Sequence, residues 1–268
     1  MSVPRIGLFG AVGLFVACSS FGADQPVTPG STDTDAGVKS DAGAPTGADG
    51  ATPIEEGGTP GPDFCVGATF CDDFEREGDP VTGWSKLNVM SSSDHVAFSK
   101  ETPRQGASAI RFDVASSTAD HHIDLEKALS RGSKNTATLK FSFRAPPTIA
   151  TDSHIDLAYF RLPRNGDPVQ IALLFREEGV VLYVDDSQSP YRKTQPIVPV
   201  AGKWNDAVLS VDFAAKSATY AVGGTSGETL KFAIDPLPDS FSLLLGPDYS
   251  DVGEAFTLDF DAVRVDLR

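Results

Sequence analysis

The sequence predicts an all-β domain, two antiparallel sheets packed as a sandwich. Apolar and polar residues alternate at period two in run after run, recurring every ten to fifteen residues, and no stretch carries a convincing helical period. Several pairs of runs are joined by short turn-forming stretches, the mark of antiparallel hairpins. The last stretch, from Phe256 to Arg268, reads as a long strand that the others must join. In it Phe256, Leu258, Phe260 and Ala262 share one parity and Val263, Val265 and Leu267 the other. A strict strand cannot change its apolar face, so a β-bulge is expected beside Asp261.

Residues 1–17 have one cation, Arg5, and an apolar run from Ile6 to Ala17. That run is too short to span a bilayer and fits the apolar region of a signal peptide. Phe15-Val16-Ala17-Cys18 resembles a bacterial lipobox, with Phe15 in place of the usual Leu. The resemblance implies that Cys18 is lipidated. Ser19 after it suits an outer-membrane destination, and a plain secretory signal is the alternative. Residues 18–62 are Ala, Gly, Asp, Thr, Pro and Ser, with Asp-Ala-Gly at Asp35 and again at Asp41. Such a segment buries too little apolar area to offset its conformational entropy and reads as a disordered acidic linker.

Residues 63–268 are left to build the domain. Its two cysteines, Cys65 and Cys71, are expected to form a small disulfide in an exported protein, and they make a poor zinc site without neighbouring ligands. The formal charge is −15, from 37 acids against 22 bases. That excludes a nucleic-acid surface and leaves the lipid as the only contact with a membrane.

In order, Ile110, Phe112 and Val114 alternate with Arg111 and Asp113. Ile123, Leu125 and Leu129 oppose His122, Asp124 and Glu126, and Leu139, Phe141 and Phe143 oppose Lys140, Ser142 and Arg144. Val169 to Phe175 turns at Glu177-Glu178-Gly179 into Val180 to Val184. Trp204 to Phe213 turns at Ala214-Ala215-Lys216 into Ala218, Tyr220 and Val222. Leu230 to Ile234 and Phe241 to Leu245 precede the closing strand.

Four motifs occur in a telling order: Phe70-Cys-Asp-Asp-Phe-Glu75 with Trp84, then Gly106-Ala-Ser-Ala-Ile-Arg-Phe112, Gly202-Lys-Trp204, and Phe260-Asp-Ala-Val-Arg-Val265. Together they resemble the concanavalin A-like lectin/glucanase superfamily. The last is similar to the final strand of family 16 glycoside hydrolases and the Trp hairpin to laminin-G-like modules. The resemblance implies a jelly roll whose concave face commonly holds carbohydrate; it does not imply that a ligand is kept.

On His121-His122-Ile-Asp124-Leu-Glu126, residues two apart point the same way, so His122, Asp124 and Glu126 form a row and are the candidate catalytic residues. The family 16 pattern is Glu-x-Asp-x-Glu, with the first Glu as nucleophile and the last as acid/base. Here His122 stands at the nucleophile position, which argues against hydrolysis by this route. Related lyases carry Gln-x-His; Gln170-Ile-Ala172 lacks the His, and His122 or His154 are its substitutes, with Arg161 and Arg176 to neutralise a uronate. The resemblance also implies a structural calcium held by Asp261 with carbonyls near Asp72 or Asp73 and Gly106; the alternative is that Asp261 forms a salt bridge or caps the bulge. Sugar binding is expected at Tyr183 and Tyr159, with Asp124 and Glu126 as polar partners, and Tyr191 and Tyr249 near the rim.

The reading that follows is an exported, lipid-anchored surface protein whose lectin-like sandwich binds extracellular polysaccharide without catalysis. The alternatives are a polysaccharide-degrading hydrolase or lyase of the same fold, and a protein-binding or structural component of the envelope.

Overall fold

The computed structural model describes residues 64–268 apart from 102, 117–120, 145, 147–148, 150–152, 188–191, 249 and 251–252. The signal sequence, Cys18, the acidic linker, Tyr191 and Tyr249 lie outside the described residues. Sixteen strands and no helix are described. They are β1 (Phe70–Asp72), β2 (Lys86–Val89), β3 (His95–Ser99), β4 (Ala109–Val114), β5 (Ile123–Ser130), β6 (Thr136–Arg144), β7 (His154–Leu162) and β8 (Val169–Arg176). After them come β9 (Gly179–Asp185), β10 (Arg192–Lys193), β11 (Trp204–Asp212), β12 (Ser217–Val222), β13 (Thr225–Ser226), β14 (Leu230–Lys231), β15 (Ser240–Leu245) and β16 (Phe256–Leu267).

The strands described pair antiparallel throughout. One sheet runs β13-β12-β11-β6-β16-β4-β3, with β1 added to β16 and β14 to β12; the other runs β10-β9-β8-β7-β15-β5-β2. The hairpins expected at Glu177-Glu178-Gly179 and at Ala214-Ala215-Lys216 are β8–β9 and β11–β12. Between the sheets lies one large core, in which Phe112 meets Phe260 edge-on at 5.5 Å and Phe160 meets Phe241 at 5.3 Å.

β16 organises its sheet as the sequence suggests. Its first half pairs with β4, its second half pairs with β1, and β6 pairs along its other side from Asp259 to Leu267. The register shifts between Asp261 and Arg264, with Ala262 at φ 52°. The extra residue returns the second apolar set to the core, so that Leu258 and Phe260 before the bulge and Val263, Val265 and Leu267 after it are all buried in one cluster.

Asp261 is fully buried. Its Oδ2 accepts the backbone N–H groups of Arg104 and Gln105, both at 2.9 Å, and its Oδ1 that of Ala262 at 2.7 Å. Burial pushes its pKa up to about 7 against the pull of those amides. Glu75 takes the amides of Ala107 and Ser108, over Gly106, where a Cβ would lie 2.1 Å from its carboxylate. Asp73 accepts the N–H of Glu75 at 3.3 Å. Asp261, the carboxylate expected to hold calcium, thus accepts N–H donors on both of its oxygens. Among the described residues no group of three or more His, Cys, Asp or Glu gathers as a metal site. Cys65 and Cys71 do form a disulfide, beside β1.

Candidate functional site

The outer face of the second sheet is built row by row from its register. Across β10, β9, β8, β7, β15, β5 and β2 one row reads Lys193, Tyr183, Ala172, Tyr159, Leu244, Glu126 and Lys86. The next reads Asp185, Gln170, Arg161, Ser242 and Ala128. A bulge in β7 between Asp156 and Ala158 changes that strand's parity, which puts His154 and Asp156 on this face before it and Tyr159 and Arg161 after it. A cleft of about 580 Å³ opens here, its walls including His122, His154, Gln170, Arg176, Tyr183 and Asp248.

Asp248 is the residue that the sequence reading missed. β15 ends at Leu245 and is followed by Gly246, whose φ is +122° and where a Cβ would meet the Phe112 ring at 2.6 Å and the carbonyl oxygen of Ile123 at 2.9 Å, so only glycine makes this turn. The loop is then stitched to the start of β5: Ile123 donates to the carbonyl of Pro247, and His121 and Ser250 exchange backbone hydrogen bonds at 2.9 and 3.1 Å. Asp248 is thereby seated between two strands. Its Oδ2 accepts the Tyr159 hydroxyl and stands 3.7 Å from Nη2 of Arg161; its Oδ1 stands 3.8 Å from Nδ1 of His122. Arg161 also donates to the Tyr159 oxygen at 2.5 Å. The Gly-Pro-Asp turn after an apolar strand was the available signal.

The electrostatics follow from this crowding. Burial, then the neighbouring Asp248 charge, hold the Tyr159 hydroxyl protonated far above its usual range. Burial lowers the Arg161 pKa, but Tyr159 and Asp248 outweigh it and the net shift is upward. Asp124 is fully buried; burial first, and then Asp248 facing it, push its pKa up to about 8. Glu126 is shifted down: burial opposes ionisation, but the Ser242 hydroxyl at 2.6 Å and Lys86 at 2.9 Å outweigh it.

The sequence-derived site is therefore partly assembled. His122 and Tyr183 reach the cleft, together with His154, Gln170 and Arg176. Tyr159 and Asp124 do not present themselves to a ligand, because each is fully buried; neither serves as a stacking platform or a direct sugar partner in this conformation. Asp124 is bonded to Asn88 at 2.9 Å, and Glu126 to Ser242 and Lys86.

No protein-family model matches the chain, and no curated protein matches it. Solved structures do resemble it. An endo-β-1,4-glucuronan lyase from the fungus Trichoderma reesei aligns with a TM-score of 0.58 and 15% identity over 75% of this chain and 96% of its own. A carbohydrate esterase from the Shiga toxin-encoding bacteriophage phi24B gives 0.52 and 10% over 75% and 98%. An alginate lyase from a Chlorella virus gives 0.51 and 12% over 70% and 94%. At these identities the likeness concerns the fold, and the chain shares the jelly-roll β-sandwich of these proteins.

Proposed function

We propose that this protein is a polysaccharide-degrading enzyme of the lyase class, acting on a uronate-containing glycan, rather than the non-catalytic binder expected from the sequence. The observation that carries the reading is the cleft-lining His122 with Nδ1 turned to the Asp248 carboxylate, and Arg161 bound to the same group. β-Elimination needs a base for the proton on the carbon beside the uronate carboxylate, a cation that stabilises the charge developing there, and a proton for the departing oxygen.

Asp248, 3.8 Å from Nδ1 of His122, is placed to orient the ring once substrate draws the pair together, which leaves Nε2 as the proton acceptor. Such pairs are commonly long before substrate binds. The C–H electron pair becomes the new double bond, the adjacent carbon–oxygen bond breaks, and the imidazolium returns its proton to the departing oxygen. No water is consumed. Arg161 and Arg176 are the cations suited to the uronate carboxylate. The comparison with glucuronan and alginate lyases supports the choice of reaction through the shared fold alone.

The export signal and lipid anchor expected at Cys18 belong to the same proposal, and the Cys65–Cys71 disulfide suits an oxidising compartment.

A second reading has its own observation. Leu174 and Tyr183 line the cleft over a buried apolar cluster of Ala172, Val181 and Leu244, and an aromatic and an aliphatic side chain on its wall suit a bound sugar ring. Incubating the protein with uronate and neutral polysaccharides separates the two. A rise in ultraviolet absorption with uronate polymers alone supports elimination, and retention on a glycan gel with no new product supports binding.

A further inference from the structure

Beneath the cleft, and reaching no ligand, lies a second carboxyl that the reaction above does not use. Asp124 has no exposed surface, and its two oxygens differ. Oδ1 accepts a hydrogen bond from Asn88 of β2 at 2.9 Å, while Oδ2 is buried with no hydrogen-bond donor. The groups around it are few. From β7 come Tyr159, which turns its hydroxyl to Asp248, and Arg161, which shares itself between Tyr159 and Asp248. From the loop after β15 comes Asp248, and from its own strand Glu126, whose charge is matched by Lys86.

Two carboxylates facing each other, one of them fully buried and with one guanidinium as their shared counter-charge, resist ionising together near neutral pH. Asp248 has the donors that favour a charge: the Tyr159 hydroxyl and Arg161. Asp124 has an oxygen lacking any donor, which is where a proton resolves both the orphaned atom and the repulsion.

We infer that Asp124 is a positioning residue held as the neutral acid, which donates its hydrogen to Asp248 and so keeps that carboxylate charged and aimed at His122. The inference deepens the lyase reading, because it names the group that sets the charge behind the base. The upward shift of Asp124, caused by burial first and Asp248 second, agrees with it. It gives the site an alkaline limit. Once Asp124 ionises, two negative charges stand behind His122, the Asp248 carboxylate loses its donor, and the base loses its alignment.

Two readouts test this. The first needs no activity: infrared difference spectra between the wild-type protein and Asp124→Asn should contain a protonated-carboxyl band at pH 7 that disappears as pH is raised through about 8. Absence of that band at pH 7 overturns the inference, whatever the enzyme does. The second uses product formation. Asp124→Ala should lose about 5- to 150-fold, the effect of stripping a buried partner, and Asp124→Asn, whose amide can still donate to Asp248, should restore most of that loss while abolishing the alkaline limb. An Asp124→Asn profile with the wild-type alkaline limb would overturn it. A wild-type protein that shows the band but makes no product would instead count against the lyase reading.

Discussion

Asp248 joins Tyr159 and His122 through its two oxygens, accepting the tyrosine hydroxyl on one and facing the imidazole Nδ1 at 3.8 Å with the other. This relationship makes a buried tyrosine, a surface histidine and a loop carboxylate one unit. The tyrosine, locked as a donor, orients the carboxylate, and the carboxylate orients the base.

The first expectation concerns His122. Replacing it with Ala should lower kcat by about 10²- to 10⁴-fold, the usual contribution of a positioned base, with little change in KM. Arg161→Ala should instead raise KM for uronate substrates as well as lower kcat. Steady-state kinetics on both variants checks the split, and equal effects of the two on KM alone would contradict the roles given to them.

Asp259 is buried on the other sheet, where it accepts from Nε of Arg111 at 2.8 Å and Nε of Arg144 at 2.9 Å. Asp259→Ala takes a shared carboxylate from two guanidiniums that are themselves partly exposed, although Arg111 keeps Glu101 at 2.9 Å and Arg144 still lies over Trp204. A loss of about 2–3 kcal/mol is expected, below that for fully buried pairs because water screens the arginines. Denaturant unfolding of the variant measures it.

A pH dependence follows from Asp261. Its folded pKa, about 7, lies above the ordinary carboxyl value, so the folded state holds the proton more tightly. The stability it contributes is full below about pH 4 and is lost as pH rises through 7. Asp261→Asn should be less stable at every pH, since its amide nitrogen must face backbone N–H donors, yet its unfolding free energy should fall less between pH 5 and pH 8 than that of the wild type. Chemical denaturation at the two pH values decides this; equal slopes would sink the assignment.

The disulfide closes a loop six residues in sequence separation at the start of the domain. For so short a loop the chain-entropy estimate is about 2 kcal/mol. Cys71→Ser should therefore lower thermal stability while leaving product formation intact, since neither cysteine approaches the cleft.

The sandwich was legible because half-buried strands write their period directly into the sequence: Ile110, Phe112 and Val114 predict β4 as plainly as Leu139, Phe141 and Phe143 predict β6. The bulge beside Asp261 was legible for the same reason, as a break in that period. β2 and β3 were not, for they are short strands at sheet edges, where Lys86, Val89 and His95 are exposed and the apolar residues are at most partly buried. The site was half visible. His122 stood out by residue type, and Arg161 by charge. Asp248 did not, because its role depends on a glycine turn that folds it back onto two strands remote in sequence. The opposite error befell Tyr159: the β7 bulge keeps it on the cleft-side face of its strand, but Leu244 and Ala172 pack against it and close it off.

The most direct test of the central claim is mass spectrometry of the products formed from a purified polyuronate by the wild-type protein and by His122→Ala. Elimination predicts oligosaccharides with an unsaturated non-reducing end, each one water lighter than its hydrolytic counterpart, formed by the wild type and lost in the variant. Products that carry the added water, or uronate chains left intact across glucuronan-like and alginate-like polymers, would contradict the account.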